Sequence, residues 1–266
     1  MAITIQNSAS QGLIHSTSQV QKSLNETFQK LSTGLKVDQA QDNAALLAIA
    51  DRFSTQVRGY NQAIQNANDG VSMVQVADAG LAQIQDGQVR LQELAIQSAN
   101  ATLNDSDRQA LQTEANQIQE QIDSIIADTN FNGIDVLASN TPVNLQTGTG
   151  EGDVTSINFQ DFSNAFTSVD ISTQAGAQNA ISSLETDMET VSQARSELGA
   201  VQSGLESTLN NLGSTVEALT AAKSRVEDAD MAQAMLDKTS QDIRSQANIA
   251  LLVQANQASE RVMDLL

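Results

Sequence analysis

Few residues of this sequence are of the types that perform acid-base, nucleophilic or metal chemistry. His15 is the one histidine and cysteine is absent, so a zinc ion would find no second nitrogen or sulfur ligand. A Ser-His-Asp triad cannot be built around one histidine in a terminal segment, and the zinc-protease motif HExxH does not occur. We interpret His15 as a solvated or interfacial residue.

Two further stretches are rich in carboxylates or glycine. EDAD, Glu227 to Asp230, offers oxygen ligands for calcium but lacks the central Gly and the distant bidentate Glu of a calcium loop, so negative charge in the first turn of a helix explains it better. TGTGEGD, residues 147–153, has no Lys followed by Ser or Thr at phosphate-loop spacing and predicts a turn. The sequence therefore predicts a protein that is not an enzyme and uses no metal or cofactor.

Composition and charge restrict the class of protein further. The 266 residues include 3% aromatic residues, one Pro and no Trp, which favours long helices packed through small aliphatic side chains. The net charge of −19 argues against nucleic acid as a partner and against anionic membrane surfaces. No secretory signal and no apolar run of membrane-spanning length is found, and these features alone predict a cytosolic location.

A heptad pattern marks the strongest predicted element. Leu or Val recurs at every seventh position from Leu184 to Val226. A companion position, three residues before each of them, is mostly apolar but is interrupted at Arg195 and Gln202. This spacing is typical of a coiled-coil seam, and its helix would be about 70 Å long. A stripe of that length needs partner helices. The seam residues are Leu184, Val191, Leu198, Leu205, Leu212, Leu219 and Val226.

Two amphipathic helices in the first half are predicted as those partners. The earlier one, from Ile64 to Leu94, contains Gly70, Gly80 and Gly87. Each interior Gly costs about 1 kcal/mol relative to Ala, which predicts close approach of neighbouring backbones or a bend. The later helix repeats Leu, Ala and Ile at spacings of three and four after a capping stretch, NDSD, at 104–107. Three apolar stripes predict a bundle.

The two ends carry shorter apolar stripes. The first stops at STG, where Gly34 is placed as a C-terminal cap. SRVE, Ser224 to Glu227, predicts a capping box that opens a new helix; the alternative is that the seam helix continues through it. Helices with such short stripes are marginal alone in water, so the ends need each other or other chains. The predicted assembly residues are Leu13, Val20, Leu24, Phe28, Leu31, Ile249, Leu252, Val262, Leu265 and Leu266.

The middle, residues 131–174, has a different pattern. Alternation in INFQDF, with Ile157, Phe159 and Phe162, and the Gly-rich stretch that precedes it predict one or two hairpins. The fold class predicted is mainly α: an elongated coiled-coil helical bundle formed by N- and C-terminal segments, with a small central β-hairpin region.

Six blocks of the sequence stand out together, in order and at both ends: residues 31–53, 66–81, 90–100, 129–137, 224–232 and 253–266. These blocks resemble bacterial flagellin. The resemblance implies a structural subunit that polymerises into the flagellar filament for swimming. It also implies export in an unfolded state by the flagellar type III apparatus, which revises the expected location to extracellular. The implied partners are further copies of the chain, an export chaperone, the filament cap and hook-associated proteins.

The resemblance also implies a division of the chain and a reason for the apolar ends. The terminal segments would pair as an inner coiled coil and pack against neighbouring subunits. A hook-filament junction adaptor shares these terminal helices and is the alternative function; TNFNGIDVL and SRVEDADMA together favour a filament subunit. The implied segments are 1–43 and 225–266 for the inner terminal-helix domain, and 44–130, 131–174 and 175–224 for the rod domain.

One polar face has a sharper interpretation. Arg90, Glu93, Leu94 and Gln97 follow the spacing i, i+3, i+4 and i+7 of one helical face, and Glu114 lies on the neighbouring predicted helix. These residues match positions by which the family contacts the vertebrate innate immune receptor Toll-like receptor 5 and packs between protofilaments. The alternative is a polar helix face with ordinary side-chain pairs.

Overall fold

The structure is a computed structural model that describes the backbone of residues 8–263 and the side chains of residues 11–257. Leu265 and Leu266 lie outside the described residues, and the side chain of Val262 lies outside the described side chains. Within the described part, no helix is long and apolar enough to cross a membrane. The elements are α1 (Ser8–Thr33), α2 (Ala40–Ser98), α3 (Asp105–Asp128), β1 (Asn130–Phe131), β2 (Ile134–Asp135), β3 (Val143–Gln146), β4 (Val154–Ile157), α4 (Gln174–Glu227) and α5 (Met231–Met263).

The chain forms two compact units. We call Val57–Glu217 the bundle unit, and Met1–Gln56 together with Ala218–Leu266 the terminal unit. The chain is mainly α, as the sequence predicts. The five segments implied by the resemblance stay a prediction.

The core of the bundle unit lies where α2, α3 and α4 meet the irregular chain that follows β4. It is built from aliphatic side chains and a few phenylalanines, and Phe162 stacks on Phe166 with ring centroids 5.6 Å apart. Five of the seven seam residues, Leu184 to Leu212, are buried, whereas Leu219 and Val226, in the terminal unit, are half-buried. Representative core residues are Leu81, Ile84, Leu91, Ile122, Ile157, Phe162, Ile171, Leu184 and Leu205.

Polar side chains fasten the helices of the bundle unit to one another. Arg195, which interrupts the heptad pattern, donates from Nε to Asp78 (2.8 Å) and from Nη1 to Gln85 (2.7 Å), both on α2. Buried Arg108 on α3 donates to the backbone carbonyls of Ser98 (3.0 Å), Asn100 (2.9 Å) and Leu103 (2.8 Å). These carbonyls belong to the end of α2 and the turn after it, so one guanidinium holds the α2–α3 connection.

The glycines of α2 lie where other segments approach the helix closely. A Cβ at Gly70 would overlap Leu145 of β3, and a Cβ at Gly87 would lie 3.0 Å from Ile122 of α3. A Cβ at Gly80 would lie 2.8 Å from Leu137 Cδ1. Other segments do approach α2 closely at these glycines, but through their side chains and not, as predicted, through their backbones.

The helix ends agree with the sequence at two of three predicted caps. Gly34 has a φ of +73° and donates to the carbonyl of Lys30 (2.8 Å), which ends α1 as predicted. Asn104 and Asp107 form a reciprocal capping box at the start of α3, where the capping stretch was expected.

The predicted capping box at Ser224–Glu227 is wrong. α4 continues through these residues to Glu227, and the Oγ of Ser224 donates to Asp228 Oδ2, not to a helix start. The cap of α5 is Asp230, whose Oδ1 accepts from the N–H groups of Ala232 (2.9 Å) and Gln233 (3.1 Å). The alternative, a helix that continues, is correct only up to Glu227.

The hairpin prediction is partly correct. TGTGEGD connects β3 to β4, which pair antiparallel with Val143 opposite Ile157. The strand predicted through INFQDF ends at Ile157, which lies opposite Val143, the first residue of β3, so no partner strand remains for the residues that follow. Phe159 and Phe162 are nevertheless buried, in irregular chain.

A second hairpin, β1–β2, was not predicted as such. It turns at Asn132 and Gly133, both with positive φ. Asn-Gly is a strong hairpin signal that the sequence did contain.

We expect Gly80→Ala to destabilise the bundle unit by about 1–3 kcal/mol, because a methyl group there is crowded by Leu137 and Thr129, which are held by the core and by a hydrogen bond to Ile125. Gly199→Ala is the matched control: it lies inside α4 with no atom within 4 Å of the new methyl, so the gain in helix propensity should stabilise by about 0.5–1 kcal/mol. Urea unfolding followed by circular dichroism measures both. Equal effects of the two substitutions would contradict the close-approach explanation.

Candidate functional site

In the terminal unit, α1 packs against α5. The Nζ of Lys238 lies 5.0 Å above the ring of Phe28, which is within cation–π distance. The Oγ1 of Thr27 lies 3.0 Å from Gln241 Oε1. Between the end of α1 and the start of α5, two backbone hydrogen bonds join the chain segments. The N–H of Lys36 donates to the backbone carbonyl of Glu227 (2.6 Å), and the N–H of Ala229 donates to the backbone carbonyl of Gly34 (2.9 Å).

The predicted assembly residues lie along this helix pair, and the pair covers them only in part. Leu13, Val20, Leu24, Leu31 and Leu252 are half-buried, whereas Phe28 and Ile249 are exposed. Their role in subunit assembly stays a prediction.

Several apolar residues of this surface were missed by the sequence analysis. Leu236 and Ile243 of α5 are 66% and 62% exposed. Of the fourteen large apolar side chains that are exposed among those described, ten lie in the terminal unit. Because α5 carries apolar residues on several faces, periodicity identifies one stripe and overlooks the others. The missed residues on α5 are Met231, Met235, Leu236 and Ile243.

The described core of the terminal unit is correspondingly thin. Its fully buried apolar side chains are Val37, Ala50 and Ala234, two of which are alanines. Burial of apolar area is the main source of stability, so this unit gains little of it from its own residues.

The polar face around residue 90 is held by a carboxylate pair. Arg90 donates from Nη2 to Glu114 Oε1 (2.7 Å) and from Nη1 to Glu93 Oε2 (2.8 Å). The hydrogen bond to Glu114, followed by that to Glu93, raises the pKa of Arg90. Gln97 is exposed on the same side of α2. The structure thus places Arg90, Glu93, Gln97 and Glu114 on one exposed patch.

Leu94 does not belong to this patch. It is 1% exposed and lies in the bundle core. The helix turns about 100° per residue, so Leu94 is rotated from Arg90 towards the buried row that contains Leu91 and Ser98. The spacing i+4 was too coarse to separate the two faces.

The remaining candidate residues are accounted for by local structure. His15 is exposed on α1. Asp230 of EDAD caps α5, and Asp153 of TGTGEGD accepts from the N–H of Gly150 (2.8 Å) within the turn. In the part of the chain that the structure describes, no group of three or more His, Cys, Asp or Glu side chains could hold a metal ion.

Fold and site together define a helical structural protein whose terminal helices are incompletely covered. Two protein-family models match the chain. The model described as "Bacterial flagellin N-terminal helical region" matches residues 5–141, and the one described as "Bacterial flagellin C-terminal helical region" matches residues 181–266. The chain belongs to the bacterial flagellin family.

Sequence similarity to individual proteins supports this family membership. The chain is 38% identical over 247 residues to "Flagellin" of Halalkalibacterium halodurans, with 91% of each chain covered. It is 34% identical over 268 residues to "Flagellar filament 33 kDa core protein" of Treponema phagedenis, with 92% of each covered.

A similar fold occurs in a solved structure described as a putative flagellar hook-associated protein from Vibrio parahaemolyticus. The TM-score is 0.57 at 13% identity, with 71% of this chain and 98% of that chain covered. At this identity the likeness concerns the fold alone.

We expect Asp230→Ala to weaken the first turn of α5 by about 0.5–2 kcal/mol, because the N–H groups of Ala232 and Gln233 lose their acceptor. Hydrogen exchange at these two amides measures the effect. Ser224→Ala is the comparison variant and should leave their exchange rates unchanged. A larger effect of Ser224→Ala than of Asp230→Ala would restore the capping box predicted from sequence.

Proposed function

We propose that this protein is a structural subunit that polymerises through its terminal helices into the bacterial flagellar filament. On this proposal it is exported unfolded by the flagellar type III apparatus and acts outside the cell. The observation that carries the proposal is the uncovered apolar surface of α1 and α5, in a chain that belongs to the flagellin family.

The energetic argument rests on where apolar area remains exposed. Fully burying a large aliphatic side chain gains about 1.5–3 kcal/mol. Among the side chains that the structure describes, the terminal unit leaves ten large apolar ones exposed, so covering them with other copies yields a large favourable free energy. Binding that occurs only to the ordered helices also stabilises those helices.

The distribution of charge supports the same segments as the packing surface. Nine of the 13 basic and eleven of the 32 acidic residues belong to the terminal unit, which gives it a net charge of −2, whereas the bundle unit carries −17. Like charges repel strongly when they are packed closely and desolvated. The nearly neutral segments can therefore pack against their own copies at little electrostatic cost.

The alternative of a hook-filament junction adaptor is less well supported. The relatives at 34–38% identity are named flagellin and filament core protein, whereas the hook-associated structure shares only 13% identity. We propose the export chaperone, the filament cap and hook-associated proteins as partners of the filament subunit, on the basis of the family.

We further propose that the patch formed by Arg90, Glu93, Gln97 and Glu114 contributes to protofilament packing and to recognition by Toll-like receptor 5. The support is the exposed, hydrogen-bonded arrangement of charged and amide groups on α2 and α3. Leu94 is buried and would contribute only indirectly, by holding α2 in position within the bundle.

The assembly proposal predicts the behaviour of a double variant, Leu236→Gln with Ile243→Gln. Both residues are exposed, so the helix content of the monomer should be unchanged. The critical concentration for polymerisation should rise by at least about 100-fold, since about 3–6 kcal/mol of favourable burial free energy is lost per subunit. Light scattering and negative-stain microscopy measure filament formation.

Gln254→Ala is the matched control, because it removes an exposed polar side chain from the same helix and should leave polymerisation intact. Normal filaments from the double variant would refute the proposal that this α5 surface is covered on assembly.

The receptor proposal predicts that the intact protein activates reporter cells that display Toll-like receptor 5. Arg90→Ala should reduce this response roughly tenfold, because a charge-assisted bond is worth about 1.5–3 kcal/mol. Arg58→Ala, a change at an exposed basic residue elsewhere on α2, should have no effect. A silent intact protein, or equal loss in both variants, would remove the receptor role.

A further inference from the structure

The side of α5 that packs against α1 is mainly polar. Among residues 231–257 of α5, the covered side chains recur at alternating intervals of four and three residues, which is the spacing of a helix-pairing stripe. We call these residues the polar stripe of α5, and Leu252 is its one large apolar member. The polar stripe consists of Ala234, Lys238, Gln241, Ser245, Asn248, Leu252 and Ala255, and Asp242 beside it is half-buried as well.

The other large apolar side chains described on α5 lie outside the polar stripe and are exposed. A helix usually covers its apolar side and leaves its polar side in water. Rotation of α5 about its axis would place more apolar area against α1, which burial favours. Burial therefore does not explain the orientation of α5, and other contacts must select it. The exposed residues are Met231, Met235, Leu236, Ile243, Ile249, Leu251 and Val253.

One such contact joins a buried hydroxyl of α1 to an amide of the polar stripe. Thr27 is 8% exposed and is the one buried polar side chain among those described in the terminal unit. Its Oγ1 donates to the carbonyl of Ser23 (2.9 Å) and lies 3.0 Å from Gln241 Oε1. A hydroxyl has one proton but also accepts, so turning the amide over, which lets Nε2 of Gln241 donate to Oγ1, satisfies both groups.

A second contact lies one turn away along α5. Lys238 precedes Gln241 by three residues, and its Nζ lies 5.0 Å above the ring of Phe28, the residue after Thr27. The same Nζ donates to Asp242 Oδ2 (3.1 Å), which helps to hold the ammonium group in place. Cation–π attraction requires the cation to lie over the face of the ring, so this contact also depends on how the two helices are aligned.

Polar contacts of this kind discriminate between alignments of a helix pair. A slip by one turn, about 5.4 Å, would leave the half-buried Gln241 amide without Thr27 and would move Lys238 off the ring of Phe28. Both losses oppose the slip, and a single polar residue in a helix-pairing stripe can fix register in this way. Apolar packing discriminates less here, because two of the three buried apolar side chains described in the terminal unit are alanines.

We propose that Thr27 and Gln241 are specificity-determining residues of assembly. Their pairing fixes the register and rotation of α5 on α1, so that the apolar side of α5 stays uncovered within one chain and is available to further copies. Lys238 over Phe28 supports the same alignment. The alignment is a property of a single chain, whereas its use in assembly rests on the proposed filament function.

Spin labels on the two helices measure the alignment directly. The chain has no cysteine, so Gln21→Cys with Gln246→Cys, both at exposed positions, provides two defined labelling sites. Pulsed electron paramagnetic resonance measures the distance between the labels in full-length protein below the concentration of assembly, with sucrose added because this osmolyte favours burial. The parent chain should give one narrow distance.

Thr27→Val with Gln241→Leu removes both polar groups and leaves neither unpaired. Helix content should not fall, whereas the distance distribution should broaden or gain a second peak, since a slip of one turn moves a label by about 5.4 Å along the axis. The critical concentration for polymerisation should rise by the reciprocal of the fraction of chains that keep the parent distance.

Two further variants separate alignment from general stability. Thr27→Ser keeps the hydroxyl and should preserve the parent distance. Thr239→Val with Gln254→Leu makes the same pair of exchanges at exposed positions of α5 and should also preserve it.

The proposal is overturned by a broad distance distribution in the parent chain, by a Thr27→Val, Gln241→Leu variant that keeps the parent distance, or by equal loss in the control. It is also overturned if that variant loses the alignment and still polymerises at the critical concentration of the parent. A parent chain with one narrow distance that forms no filaments would instead refute the proposed function while supporting the alignment.

Discussion

Every amphipathic helix of this protein depends on a second surface that removes its apolar stripe from water. In the bundle unit that requirement is met internally, because α2, α3 and α4 cover one another and the chain after β4 adds Phe159 and Phe162 to the core. In the terminal unit two helices are left to cover each other with few bulky side chains in between. The two units therefore differ in what their stability depends on: the first on its own sequence, the second on additional partners.

Apolar exposure and charge balance coincide in the same segments. The residues that leave most large apolar side chains uncovered are also those in which acidic and basic residues nearly cancel, while the bundle unit concentrates the negative charge. Either property alone is common on protein surfaces. Their coincidence is what a surface needs if identical copies are to pack on it, since it combines favourable burial with little mutual repulsion.

The sequence predicts those features that depend on local periodicity and capping. The heptads of α4, the Gly34 cap and the Asn104 capping box follow from residue spacing within one segment. The missed features depend on how segments pack and where helices end. Leu94 is buried because its side of α2 faces the bundle core. Asp230, not Ser224, caps α5 because α4 continues past Ser224. The polar stripe of α5 does not show in a pattern of apolar residues, because most of its members are polar.

Arg108 has a mechanical consequence. Its guanidinium donates to three backbone carbonyl groups at the α2–α3 turn. The bond to Ser98 joins α3 to α2, and those to Asn100 and Leu103 hold the turn, so one side chain opposes both separation of the helices and unfolding of the turn between them. For a chain whose proposed task is to form a filament, this turn would behave as a stiff joint within the bundle unit.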